Sequence, residues 1–191
     1  MAHWTFEDHK KWYPNNFDDG MIRSFVDKFK PSSVFEFGCG IGHYCNYMSN
    51  SDIPIVHGVE PAPMDPNMFQ NEGCENIVWD ITKDPEPSSI LPTYDAIVSI
   101  EVMEHIDKKF HAEIFDYLVS KNPRVVLFSA ARPGQGGNGH IAERHEREWI
   151  DEWEKRGYRR DKISSGIQKK ACNKRNINHV RNCNIYFRND D

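Results

Sequence analysis

The sequence predicts an α/β fold on a mostly parallel sheet with helices on both faces, and three observations carry that reading. Short apolar runs alternate with amphipathic segments, the first run leads straight into Gly38-Cys39-Gly40-Ile41-Gly42, and successive runs finish in glycine or an acid. In open α/β sheets the carboxyl ends of the strands converge on one edge, where ligands bind.

Taken in order, residues 1–14 are rich in His, Trp and Tyr and close at Pro14. Gly20 to Lys30 sets Met21, Ile22, Phe25, Val26 and Phe29 at helical spacing, and Pro31 stops that helix. Val34 to Phe37 reads as the first strand, with Glu36 inside it. Glycines at alternate positions then let the backbone turn sharply and approach a ligand with no Cβ in the way. His43 to Asn50 begins a helix whose free N–H groups face the same place.

Ile53 to Glu60 is the second strand, and its terminal carboxylate lies 22 residues after Gly38, the separation expected of an acid that accepts hydrogen bonds from a ribose. Ile77 to Ile81, containing Asp80, is the third strand-then-acid run, and Tyr94 to Glu101 the fourth. Asp84 to Pro92, with three prolines and two serines, is a loop. Asp107 to Lys121 sets Phe110, Ile114, Phe115 and Leu118 on one helical face. Arg124 to Ser129 is the fifth strand, Glu146 to Arg156 a helix closing at Gly157, and Asn184 to Phe187 the last strand.

At 191 residues the chain suits one domain that buries about 70% of its unfolded surface. Its net charge of −5 argues against a whole-protein polyanion binder, although Arg159 to Arg188 holds nine Lys/Arg against the single acid Asp161. Five cysteines with no C-x-x-C pair speak against a closed disulfide framework. The start lacks a basic and apolar leader and no run approaches the ~18 apolar residues of a membrane span, so the expected setting is soluble and cytoplasmic.

The order VFEFGCGIG, GVE, WDI, YDAIVSIEVMEHI resembles the seven-stranded, Rossmann-like S-adenosylmethionine-dependent methyltransferases over roughly residues 30 to 160. A dinucleotide fingerprint would want glycine three residues after Gly40, where this chain has His43. The resemblance implies a three-layer sandwich and S-adenosylmethionine as cofactor. It assigns the Gly38, Cys39 and Gly40 loop to the methionine part, Glu60 to the ribose hydroxyls, and Asp80 with the Ile81 amide to the adenine. Glu36, on the strand, either holds the loop or reaches the amino group through water, and Glu101 completes that set.

Catalysis is expected from histidines, because a hydroxyl acceptor needs a base. His105 follows the fourth strand. His140 ends the run Gly134-Gln135-Gly136-Gly137-Asn138-Gly139-His140, which resembles a signature of small family members acting on modest-sized acceptors. His145 precedes Trp149. Glu101, Glu104 and His105 share i, i+3, i+4 spacing and resemble the metal site of the small-RNA 2′-O-methyltransferases, with His145 as fourth ligand.

The leading expectation is therefore O-methylation of a small or medium polar acceptor, a sugar hydroxyl or phenol, without metal. A metal-assisted RNA 2′-O-methyltransferase is the second reading, and a catalytically silent cofactor-binding scaffold the third. The expected layout is one domain over 1–191, with residues 1–30 as a helical lid carrying Trp4, Phe6, Trp12, Tyr13 and Phe17, and 131–145 as the acceptor loop. The partner expected is a small molecule, with no membrane.

Overall fold

The structure is a computed structural model that describes residues 7, 11, 17–62, 67, 71–172 and 182–190. Seven strands form one sheet: β1 (Ser33–Phe37), β2 (Ile55–Glu60), β3 (Cys74–Val78), β4 (Ala96–Ile100), β5 (Val125–Ser129), β6 (Tyr158–Asp161) and β7 (Asn184–Arg188). Their order is β3-β2-β1-β4-β5-β7-β6. The first five run parallel, while β7 is antiparallel to both β5 and β6. The expected mostly parallel, seven-stranded sheet is thus observed.

Five helices are described: α1 (Asp19–Phe29), α2 (His43–Ser49), α3 (His111–Ser120), α4 (Glu146–Glu154) and α5 (Lys162–Ala171). They cover both faces. Successive residues of a strand point to opposite sides, so Val34, Val98, Val125 and Leu127 join a core with Met21, Phe25, Cys45 and Met48 of α1 and α2. Phe35, Ile97, Val126 and Phe128 join a second core with Phe115 and Leu118 of α3 and Trp149 and Trp153 of α4. Strands buried on both faces read as continuous apolar runs, which is why β1, β4 and β5 are plain in the sequence.

Helix ends follow local chemistry. Asp18 caps α1 by accepting from the Met21 amide at 2.9 Å, and Lys30 leaves it in the left-handed region at φ 42° just before Pro31. Asp161 caps α5 through the Ile163 and Ser164 amides.

Two differences from expectation have physical causes. The third strand ends at Val78 instead of reaching Ile81, because Asp80 turns the chain: its Oδ1 accepts from the Thr82 amide and hydroxyl at 3.0 and 2.6 Å. β6 and α5 were not foreseen. The polarity of α5 runs opposite to the usual pattern, since it buries Ser164, Ser165 and Gln168 and exposes Ile163 and Ile167. The buried polar atoms are satisfied: Ser165 accepts from the Ile185 amide at 2.9 Å, and the Gln168 amide donates to the Met21 carbonyl.

Of the expected lid, Trp4, Phe6, Trp12 and Tyr13 lie outside the described residues. Phe17 stacks near His43 and Tyr44, with ring centroids 5.4 and 5.1 Å away. Among the described residues no helix is long and apolar enough to cross a membrane.

Candidate functional site

The loop after β1 is shaped by positive φ at Gly38 (75°), Gly40 (58°) and Gly42 (91°), the last serving as N-cap of α2. A Cβ on Gly38 would stand 2.3 Å from a Val102 methyl, so glycine is required there by space as well as by φ. The Gly38 and Cys39 amides donate to the Val59 carbonyl at 2.9 and 3.0 Å, and the Gly40 amide donates to Glu60 Oε2 at 3.1 Å. The Trp79 amide donates to the Glu60 carbonyl at 3.1 Å, which sets the Asp80 turn beside the same edge. Gly38, Gly40, Glu60, Asp80 and Ile81 therefore gather at adjoining strand ends.

Glu36 stands elsewhere. Its carboxyl is buried behind the loop, where it accepts from Cys45 Sγ of α2 at 2.8 Å, so it braces helix against strand rather than lining the edge. Burial raises its pKa to about 8, partly countered by the Cys45 hydrogen bonds. Burial also pushes the Cys39 thiol up to about 12, leaving the Cys39 amide as its contribution to the loop. Asp80 is held below the usual carboxylate range despite burial, by hydrogen bonds from Lys83 and Thr82 and by the Lys83 charge at 2.8 Å.

The second half of the site follows β4. Glu101 leaves the strand at φ 55°, a left-handed conformation that costs a non-glycine residue strain and is found at functional positions. A 3₁₀ turn over Met103–His105 follows, held from behind by His111, whose Nε2 bonds the Met103 and Ile106 carbonyls at 3.0 and 2.9 Å. Glu104 is wholly buried, and among the described residues neither carboxylate oxygen has a hydrogen-bond partner. Burial, with Glu101 beside it, pushes Glu104 well above the usual range.

The glycine-rich segment folds back over this turn. The Ile141 and Ala142 amides donate to the Glu104 carbonyl at 2.9 and 3.0 Å, and His105 Nδ1 donates to the Gly139 carbonyl at 3.2 Å. His140 Nδ1 lies 3.1 Å from Glu143 Oε1, and Glu143 in turn accepts from the Gly134 and Gly136 amides at 2.9 and 3.0 Å. Burial raises the Glu143 pKa, but those three hydrogen bonds outweigh it and keep the group ionised below its ordinary value. The His140 ring rests on Gly137, where a Cβ would come within 2.3 Å of Nε2.

Glu104, His105 and His140 present ligand atoms within 4.8 Å of one another. The sequence had set His145 with Glu101, Glu104 and His105, but His140 occupies that place. His145 is instead exposed at the start of α4, its amide donating to Glu148 at 2.9 Å. Glu143 and Gln135 were not foreseen. Gln135 bonds Glu101 Oε2 at 2.5 Å and accepts from Asn182 at 2.6 Å, contacts between distant segments that no local pattern announces.

A glycine cradle without Cβ atoms, flanked by a buried acid at the next strand end, fits a nucleoside cofactor with an amino-acid tail: amides meet its anionic groups and carboxylates its hydroxyls. A family model described as a methyltransferase domain matches residues 9–165. No curated protein matches. Solved structures do. The Burkholderia thailandensis 1,6-didemethyltoxoflavin-N1-methyltransferase, bound to 1,6-didemethyltoxoflavin and S-adenosylhomocysteine, superposes with TM-score 0.66 at 10% identity, covering 96% of this chain and 83% of that one. The Synechocystis magnesium protoporphyrin IX methyltransferase with bound S-adenosylmethionine gives 0.58 at 14% identity, covering 74% and 67%. The small RNA methyltransferase HEN1 gives 0.61 at 17% identity, covering 89% of this chain and 25% of that one. At these identities the likeness carries the fold alone.

Proposed function

The chain belongs to the methyltransferase-domain family, as a Rossmann-like S-adenosylmethionine-dependent enzyme, and from that premise we propose that it methylates a hydroxyl oxygen of a small or medium polar acceptor, a sugar hydroxyl or phenol. The supporting observation is the His140–Glu143 pair in the loop over the strand ends. When bound, S-adenosylmethionine supplies a methyl group already activated on a sulfonium, so the reaction needs alignment more than covalent help.

Glu143 accepts from His140 Nδ1 and leaves Nε2 with its lone pair, the form that takes a proton from an acceptor hydroxyl as the new O–CH₃ bond forms. The Gly38-Cys39-Gly40 backbone, its amides taken up by Val59 and Glu60, gives the methionine part a close approach with no Cβ in the way, while Glu60 takes the ribose and Asp80 with the Ile81 amide the adenine. Residues 131–145 form the acceptor side of a single domain over 1–191. The test is S-adenosylhomocysteine release against a panel of hydroxyl acceptors: turnover lost in His140→Ala with cofactor binding intact supports the reading, and undiminished turnover refutes it.

The Glu104, His105 and His140 cluster favours a second reading, the metal-assisted RNA 2′-O-methyltransferase. Two imidazoles and a buried carboxylate whose oxygens find no hydrogen-bond partner among the described residues, with Glu101 adjoining, suit a hard divalent ion, which would lower the pKa of an acceptor hydroxyl. Activity lost to a chelator and restored by Mg²⁺ or Mn²⁺ selects this reading; indifference to chelator selects the first.

A further inference from the structure

Two carbonyls flank the turn that carries Glu104 and His105, and one imidazole serves both. His111, the first residue of α3, is 2% exposed, and its Nε2 lies 3.0 Å from the Met103 carbonyl and 2.9 Å from the Ile106 carbonyl. Carbonyl oxygens only accept, so Nε2 carries the hydrogen and shares it between them. The other nitrogen faces a partner of the opposite kind. Arg144 Nη1 stands 3.4 Å from His111 Nδ1, and a guanidinium only donates, so Nδ1 presents its lone pair. The tautomer is thereby fixed from both sides. Burial lowers the His111 pKa and the Arg144 charge acts in the same direction, against the pull of the Ile106 carbonyl.

Arg144 is itself held in place. Its guanidinium donates to Glu152 Oε1 at 3.1 Å and lies 4.7 Å over the Trp149 ring, both on α4, while its amide donates to the Ala131 carbonyl at 3.3 Å, just beyond β5. Arg144 directly follows Glu143, the residue bonded to His140. Its contact with His111 therefore joins two segments 33 residues apart, the loop with His140 and Glu143 and the turn with Glu104 and His105. The same loop reaches the turn a second time, through the Ile141 and Ala142 amides on the Glu104 carbonyl. Three of the four carbonyls from Met103 to Ile106 are thus held from outside the turn.

We infer that His111 and Arg144 are a positioning pair that sets the Glu104–His105 turn against His140, acting through the backbone rather than on the acceptor. This rests on the reading of His140 and its neighbours as the reacting site. Reacting groups displaced by about 1 Å lose about a hundredfold in rate, and partners that orient site residues are commonly worth about ten- to a hundredfold.

The test compares His111→Phe, which keeps a buried ring but no donor, with His111→Gln, which keeps an N–H for the two carbonyls. Both are followed by steady-state kinetics on hydroxyl acceptors, with S-adenosylmethionine calorimetry and thermal melts as controls. His111→Phe should lower kcat about a hundredfold at nearly unchanged KM and cofactor affinity, and His111→Gln should stay within about tenfold of wild type. Nitrogen NMR of the imidazoles adds a second measure: the His111 hydrogen on Nε2 in wild type, and His105 and His140 ring signals displaced in the Phe variant and restored in the Gln variant. Equal kcat losses in the two variants, full activity in His111→Phe, or a lone hydrogen on Nδ1 in wild type overturns the inference. Should His111→Phe not fold, Arg144→Met, which removes the Nδ1 partner, replaces it: a kcat loss of about tenfold supports the pair and an unchanged kcat refutes it. Should wild type turn over no hydroxyl acceptor, the acceptor reading falls alone and the His105 and His140 signals decide, the pair standing if they are displaced and restored and failing if they are unmoved in both variants.

Discussion

The Gly40 amide donates to Glu60 Oε2 at 3.1 Å, so the acid ending β2 fixes the loop that follows β1. The residue proposed for the ribose thereby also sets the shape of the segment proposed for the methionine tail. Glu60→Gln keeps an acceptor for Gly40 but loses the charge, and should weaken S-adenosylmethionine binding about tenfold, whereas Glu60→Leu loses both and should cost about a hundredfold or more. Calorimetry checks this; equal losses in the two variants would separate the loop from the cofactor contact.

Gly38→Ala is expected to fail for two reasons, its φ of 75° and the approach to Val102 at 2.3 Å. The double variant Gly38→Ala with Val102→Ala removes only the second. It should recover part of the lost stability, leaving the roughly 1 kcal/mol that left-handed backbone costs a residue with a Cβ. Urea denaturation of the wild type and the two variants measures it, and no recovery would mean the steric contact is not limiting.

His140 and Glu143 are expected to act on turnover rather than affinity. Glu143→Gln should lower kcat about a hundredfold with KM little changed, and Gly137→Ala, by displacing the ring that rests on it, should do likewise without unfolding the chain. Steady-state kinetics with thermal melts as control decide this. A rise in KM alone would make the pair an acceptor contact, not a base.

Glu36 gives a pH prediction. It keeps its proton in the folded chain up to about pH 8 but releases it near 4.5 when unfolded. The folded state binds the extra proton between those values, so this contribution is complete below about pH 4.5 and is lost as pH rises through 8. Stability should therefore fall from pH 5 to pH 8, and Glu36→Gln should remove up to about 1.4 kcal/mol per pH unit from that slope. Parallel slopes in urea titrations of the two proteins would refute it.

The loop and strand ends proposed for the cofactor were legible as backbone features because they depend on local chemistry: glycines where φ must be positive, and acids where strands end. Asp80 illustrates the limit, since its place was visible but its turn with Thr82 and its ion pair with Lys83 moved the strand end by three residues. The half proposed for catalysis was legible only in part. His140 stood out, yet the exchange of His145 for His140 beside Glu104 and His105 depends on how the loop folds back, which spacing along a chain does not encode. β6 and α5 escaped notice because a helix that buries serine and glutamine and exposes isoleucine carries no readable stripe.

The placement of β7 bears on how the molecule assembles. β1 to β5 can stack as they emerge, each beside an earlier neighbour, but among the described residues β6 pairs with β7 alone, which lies between it and β5. Until residues 184–188 are synthesised, the edge of β5 stays open and β6, which carries Arg160, lacks its strand partner. A nascent chain halted before residue 184 should thus hold a five-stranded platform, complete around the glycine loop, with its basic flank still loose and accessible to protease.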